Sequence, residues 1–400
     1  MSVPPLPRSA SSAAPRTVDD PATALRYELL DEAARVDDLI PLGLGDPDLP
    51  TPAHIVDAAK HAIDAGLADV VGDPAGLFEL RAAVADKLWR ENGVPCSADG
   101  VVVSTGGQEG LFLVVQAILN PGDEVLVPDP RYPSYDTAIR VAKGEIVSVP
   151  TYEQDSFDLN PAEVQARITP RTRVLLLVSP GNPTAGTISP AHVRELAEIA
   201  KRHDLIVISD EIYEKLLYDD TEHLSIGSLP GMAQRTITVN GFSKTYCMTG
   251  WRVGWVAGPE PIMREVARLK RLTSACAPMV SQYAGLAALQ GPQDAVQSYL
   301  EQYSRRRRIV LDTLDRLGFT YGQPRGGFYV FLNAGSSGMP SEQLSRKLLS
   351  DAHVLIFPGT GFGPNWAQYM RLAWLAPEER IAEAMARVER ALAPETELRA

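Results

Sequence analysis

Between residues 100 and 260, short apolar or β-branched runs recur at 101–103, 124–127, 174–178, 205–208, 236–239 and 253–257. Stretches with helical spacing of their apolar positions separate them. Strands interrupted by helices cannot pair as tight hairpins; they need crossovers, and crossovers place helices on both faces of a parallel sheet. The expected class is therefore α/β, a mostly parallel sheet wrapped by helices. After residue 290 the pattern changes to a long helical stretch at 292–316, apolar runs at 328–332, 354–357 and 369–373, and helices around 341–350 and 377–392. These read as a smaller α+β unit. The expected division is a disordered tail at 1–16, an N-terminal arm contributing to the smaller unit at 17–45, a large unit at 46–290 and a C-terminal small unit at 291–400. Residues 42–52, rich in Gly, Pro and Asp, read as an ordered loop.

Charge and cysteine usage narrow the function classes. With 38 Lys and Arg against 50 Asp and Glu, the net charge is −12, and such a field repels nucleic acid. Cys96, Cys247 and Cys276 form no CxxC pair, and the six histidines contain no HExxH, so neither a metal nor a disulfide framework is expected. A reducing cytoplasm is the expected compartment. No apolar run approaches the ~20 residues of a membrane span, and 1–16 lacks the apolar core of a signal peptide. Arg305 to Arg308 read as solvated helix surface, because four consecutive positions point around most of a helix. Gly359 to Gly363 lacks the GxGxxG spacing and reads as a loop at the mouth of a site.

In open α/β sheets ligands bind at the C-terminal ends of the strands, and four such ends here carry polar groups. The run at 101–103 leads into Ser-Thr-Gly106-Gly107-Gln108 and a helix, so free backbone N–H groups could hold a phosphate there; its plainer reading is a tight turn. The run at 174–178 leads into Ser-Pro-Gly-Asn182-Pro, where Asn182 projects from the sheet edge or makes an Asx turn. Asp210 follows a fully apolar strand, either as a helix cap or as a carboxylate that needs a cationic or N–H partner. Lys244, in Asn-Gly-Phe-Ser243-Lys244, is expected to be enclosed by Phe242, Tyr246, Met248 and Trp251, which would depress its pKa and suit it to Schiff-base formation. Together these ends offer an amine for an aldehyde, an acid for a pyridinium proton, an amide and a tyrosine for a phenolate, and a glycine turn for a phosphate. Those are the demands of pyridoxal 5′-phosphate.

Over about residues 25 to 395 the chain resembles the class I/II aminotransferases of PLP fold type I. The pieces that carry the resemblance are Asp210-Glu-Ile-Tyr213, Ser243-Lys244 with Thr249-Gly-Trp-Arg-Val-Gly254, Asn182-Pro-Thr184 and Gly45-Asp-Pro-Asp48. The resemblance implies that Lys244 is the Schiff-base lysine, that Asp210 partners the pyridine nitrogen, and that Asn182 and Tyr213 partner the ring hydroxyl oxygen. It further implies that Tyr132 stacks on the ring, that Ser243, Arg252 and the Gly106 to Gln108 turn bind the phosphate, and that Arg371 grips the substrate α-carboxylate. Gly45 would let the chain approach the substrate closely. The implied activity is ping-pong transfer of an amino group between an L-amino acid and a 2-oxo acid by a homodimer; the alternative is a lyase or specialised biosynthetic enzyme of the same fold. Two departures bear on this. Val71 stands where relatives carry a tyrosine that reaches the neighbouring subunit's cofactor phosphate. Gln108 stands where aspartate-using bacterial relatives carry a lysine, which makes a dicarboxylic substrate less favoured.

Overall fold

The computed structural model describes residues 21–393; the tail expected at 1–16 and the last seven residues lie outside the described residues. A helix at Pro21–Ala33 leads to the short strand β1 (Ile40–Pro41). The central sheet follows: β2 (Val101–Ser104), β3 (Glu124–Asp129), β4 (Glu145–Pro150), β5 (Thr172–Val178), β6 (Ile206–Asp210), β7 (Thr236–Gly241) and β8 (Gly254–Ala257), in the order β2-β8-β7-β6-β5-β3-β4. Only β8 runs against its neighbours, so the sheet is mostly parallel, as the alternation of runs predicts.

The all-apolar runs arise because the inner strands are covered on both faces. Along β5, Val174 and Leu176 enter one core with Ile208, Val239 and Leu111, while Leu175 and Leu177 enter another with Val207, Leu196 and Val193. A third core packs Val101, Val103, Val253 and Trp255 against Leu80, Val84 and Leu88 of the helix Phe78–Asn92. The edge strand β4 has no counterpart among the predicted runs: its residues are mostly half-exposed, so its polar and apolar positions are mixed.

The C-terminal part forms a four-stranded antiparallel sheet, with β9 (Thr320–Tyr321), β10 (Tyr329–Asn333), β12 (Phe357–Pro358) and β13 (Tyr369–Ala373) in the order β12-β13-β10-β9. The single run expected at 354–357 is divided. Its first half, β11 (Val354–Leu355), pairs in parallel with β1; the chain then crosses at Ile356, whose carbonyl accepts from Ser345 Oγ at 2.5 Å, and β12 joins β13. The loop at 42–52 is ordered and held from beneath by Arg306, whose Nη1 and Nη2 donate to Asp48 Oδ1 and Oδ2 at 2.7 and 3.0 Å. This corrects the solvated reading of the four arginines: Arg306 is only 4% exposed, and Arg307 pairs with Asp219 while lying 5.0 Å over the Tyr218 ring. Among the described residues no helix is long and apolar enough to cross a membrane.

Candidate active site

A cavity of about 480 Å³ opens at the C-terminal ends of β5, β6 and β7, and Arg371 on β13 lines its other side. Lys244, three residues past β7, is half-buried; its Nζ donates to the Gly45 carbonyl at 2.7 Å and lies 5.6 Å from the Phe328 ring centre. Burial draws its pKa down to about 8, with Arg371 and Arg252 adding to the effect and Asp46 opposing it. Phe242, Tyr246, Met248 and Trp251, expected around the amine, pack instead with the core of Leu80 and Val84, since neighbours along this turn point away from the cavity.

Asp210 ends β6. Its Oδ2 accepts from Tyr135 Oη at 2.8 Å and its Oδ1 from the Ile212 amide at 3.2 Å; no ion pair reaches it among the described residues. Desolvation pushes its pKa up to about 6, the Tyr135 and Ile212 bonds acting against that rise. Behind it, Glu211 pairs with His223 at 3.1 Å and accepts from Ser209 and Ser225, while Glu214 is held by Lys87, Asn92 and Asn240. Glu211, Glu214 and His223 lie close enough to suggest a cation site, but their oxygens are engaged by these donors.

The glycine turn after β2 ends with Gly106 at φ +79°, a left-handed conformation suited to glycine. A Cβ there would sit 2.6 Å from Arg252 Nη2, so the guanidinium lies directly against the turn. Arg252 donates from Nη1 to the Thr249 carbonyl at 2.9 Å and from Nη2 to the Thr105 carbonyl at 3.5 Å. The helix Gly107–Ile118 starts at once and has no side-chain cap. Gly107, Gln108, Ser243 and Arg252 all line the cavity, whereas Gly106 stands just behind it.

On the opposite wall Arg371 is buried; its Nη1 donates to Asn182 Oδ1 at 2.9 Å and its Nη2 to the Gly43 carbonyl at 2.6 Å, and its Nε has no partner among the described residues. The Tyr329 and Phe362 rings flank it, with centres 4.4 and 4.8 Å from the guanidinium carbon. Phe362 brings the 359–363 segment to this wall. Tyr132 lines the cavity and meets Tyr135 edge-on. Tyr213 lies 3.4 Å, oxygen to oxygen, from Tyr329. Gly45 is required by Tyr329, since a Cβ at 45 would overlap the Tyr329 hydroxyl.

Among the lining residues given no role by the sequence reading are Tyr135, Tyr329 and Arg26. Tyr329 sits in an apolar strand and reads as core, and Arg26 lies in a helix remote in sequence from every motif. Tyr135 left a weak signal in Tyr132-Pro-Ser-Tyr135.

Residues 37–388 match the family described as aminotransferase class I and II. The chain is 40% identical to an aspartate aminotransferase of Pyrococcus abyssi, over 91% of this chain and 94% of that one. It is 37% identical to aromatic-amino-acid aminotransferase 2 of Thermococcus litoralis, with 91% and 94% covered. The solved aspartate aminotransferase of Thermus thermophilus with maleate superposes with a TM-score of 0.87 at 35% identity, covering 97% of this chain and all of that one. With a family match across most of its length and a PLP fold type I architecture, the chain belongs to the class I and II aminotransferases.

Proposed function

We propose that this aminotransferase works with pyridoxal 5′-phosphate and moves an amino group between an L-amino acid and a 2-oxo acid in two half-reactions at one site. The observation that carries this reading is that Lys244 and Asp210 face one cavity, titrate near 8 and near 6, and form no ion pair with each other. Such a cavity fits a ligand that offers an electrophile to the amine and a cation to the carboxylate. The donor set fits too: a capless helix start with an adjoining guanidinium suits a phosphate, and the orphaned Nε of Arg371 suits a carboxylate. When bound, the cofactor supplies an aldehyde and a pyridinium ring that spreads the charge left when a proton leaves the substrate Cα.

Each side chain then has a task. Lys244, whose pKa burial draws down to about 8, takes the Cα proton at Nζ and returns it. Asp210, steadied by Tyr135, holds the proton of the pyridine nitrogen. Asn182 spends its Oδ1 on Arg371, which leaves Nδ2 to donate to the ring hydroxyl oxygen alongside Tyr213. Tyr132 covers the ring, and the 106–108 turn, Ser243 and Arg252 hold the phosphate. Arg371 orients the α-carboxylate, with Gly45 beside it.

The working form is a homodimer. Val70 and Val71 are 68% and 76% exposed, and Gly72 packs under Met279, so the loop at 66–78 presents apolar side chains that a second copy covers. The free thiols at 96, 247 and 276 suit a reducing cytoplasm. Borohydride reduction of protein incubated with pyridoxal 5′-phosphate, followed by peptide mapping, tests the site. The label is expected on Lys244; label elsewhere, or none, overturns the assignment.

A further inference from the structure

The helix that opens the glycine turn carries an apparent defect. Glu109 lies in the first turn of Gly107–Ile118, where a carboxylate meets the positive helix end that an incoming anion would use. An ionised group at that position competes with a phosphate and repels it. The fold answers this from the helix Glu260–Thr273, whose Lys270 is 0% exposed.

We infer that Lys270 is a positioning residue for anion binding: its buried ammonium offsets the charge of Glu109 and, with Ser274, fixes that carboxylate on the Thr105 amide outside the cavity, so the helix start keeps its attraction for a phosphate monoester. Lys270 Nζ donates to Glu109 Oε2 at 2.6 Å and to Ser274 Oγ at 2.9 Å, and Ser274 Oγ donates to Glu109 Oε1 at 2.6 Å. Glu109 Oε2 also accepts from the Thr105 amide at 2.5 Å. Both carboxylate oxygens are therefore spent. Burial alone would raise the Glu109 pKa, yet the Lys270 ammonium, the Ser274 hydroxyl and the Thr105 amide together hold it below the ordinary value, so the group is ionised.

The same bonds brace the turn. Thr105 is held at its amide by Glu109, offers its carbonyl to Arg252 and has a buried hydroxyl with no partner among the described residues. Lys270, Glu109, Thr105 and Arg252 thus form one connected chain from the core to the cavity. Neither Lys270 nor Glu109 lines that cavity, so both act through the turn.

The inference rests on reading the 106–108 turn as the cradle of the cofactor phosphate, and its test separates the two. Dissociation constants of pyridoxal 5′-phosphate and of pyridoxal, which lacks the phosphate, are measured by absorbance on cofactor-free protein, with circular dichroism melts as a control on folding. Lys270→Met should shrink the wild-type preference for the phosphorylated ligand by about tenfold or more, because it leaves Glu109 charged at the helix start. Lys270→Met/Glu109→Gln should restore it, which loss of packing at Lys270 would not allow. Glu109→Gln alone, the variant to use if Lys270→Met does not fold, should keep or raise the preference. An undiminished preference in Lys270→Met, no recovery in the double variant, or a lowered preference in Glu109→Gln overturns the inference. Absence of any preference in the wild-type protein overturns the phosphate cradle itself, and the inference with it.

Discussion

Lys244 should titrate far below an ordinary lysine even in cofactor-free protein. Its pKa is drawn from 10.5 to about 8, chiefly by burial. A displacement of that size corresponds to about 3 kcal/mol of disfavoured charge, and at pH 7 it leaves roughly one amine in ten neutral, against about one in 3,000 for a solvated lysine. Neighbouring charges modulate this. Arg371→Met removes a cation and should move the titration upward, whereas Asp46→Asn removes an anion and should move it downward. Because desolvation is the largest cause, neither change should return the amine to its ordinary value. The assay is competitive labelling with a trace of acetic anhydride from pH 6 to 11, reading the Lys244 peptide by mass spectrometry against a free lysine-amide standard. Half-reaction within about one pH unit of the standard would refute the reasoning. The stability consequence has a fixed sign. Between about pH 8 and 10.5 the folded chain binds fewer protons at this site than the unfolded one, so its contribution to stability rises with pH across that window.

Asp210→Asn keeps an acceptor for Tyr135 but removes the charge; the protein should still bind pyridoxal 5′-phosphate while turnover falls by about 100-fold or more, and near-normal half-reaction rates would disprove the role. Val71→Tyr should tighten cofactor binding by up to about 1.5 kcal/mol if the loop reaches a partner's phosphate; an unchanged dissociation constant would show that it does not. Sedimentation should give a dimer, and an active, cofactor-bound monomer would sink the assembly. Arg306→Met strands Asp48 beneath the 42–52 loop and should cost about 2 kcal/mol, seen as a lowered thermal midpoint; an unchanged midpoint would assign the pair no stabilising role.

What the sequence made legible was whatever depends on near neighbours. Asp210 and Lys244 stand out because the first is the charged end of an otherwise uncharged strand and the second follows a strand with no ionisable residue. Their partners were hidden because they come from far along the chain: Tyr135 lies 75 residues before Asp210, and Gly45 lies 199 before Lys244. Arg306 looked like its neighbours Arg305, Arg307 and Arg308, and only its position on the inward helix face, opposite Asp48, sets it apart. The run at 354–357 carries no mark of its division, since pairing with β1 on one side and β13 on the other is decided by strands more than 300 residues apart.

The 2.9 Å bond between Arg371 and Asn182 spans two separately ordered layers, one side chain rooted in the antiparallel sheet and the other in the turn that leaves the parallel sheet. On the proposed role of Arg371, a carboxylate received there is gauged across a seam. Its fit depends on how two frameworks are registered, as well as on the atoms that touch it. Substitutions deep in either core that slide one framework by a fraction of an ångström would alter which amino acids are accepted while leaving every lining residue in place. Variation in substrate choice among relatives with the same pocket residues should therefore be sought in the packing that sets this registration.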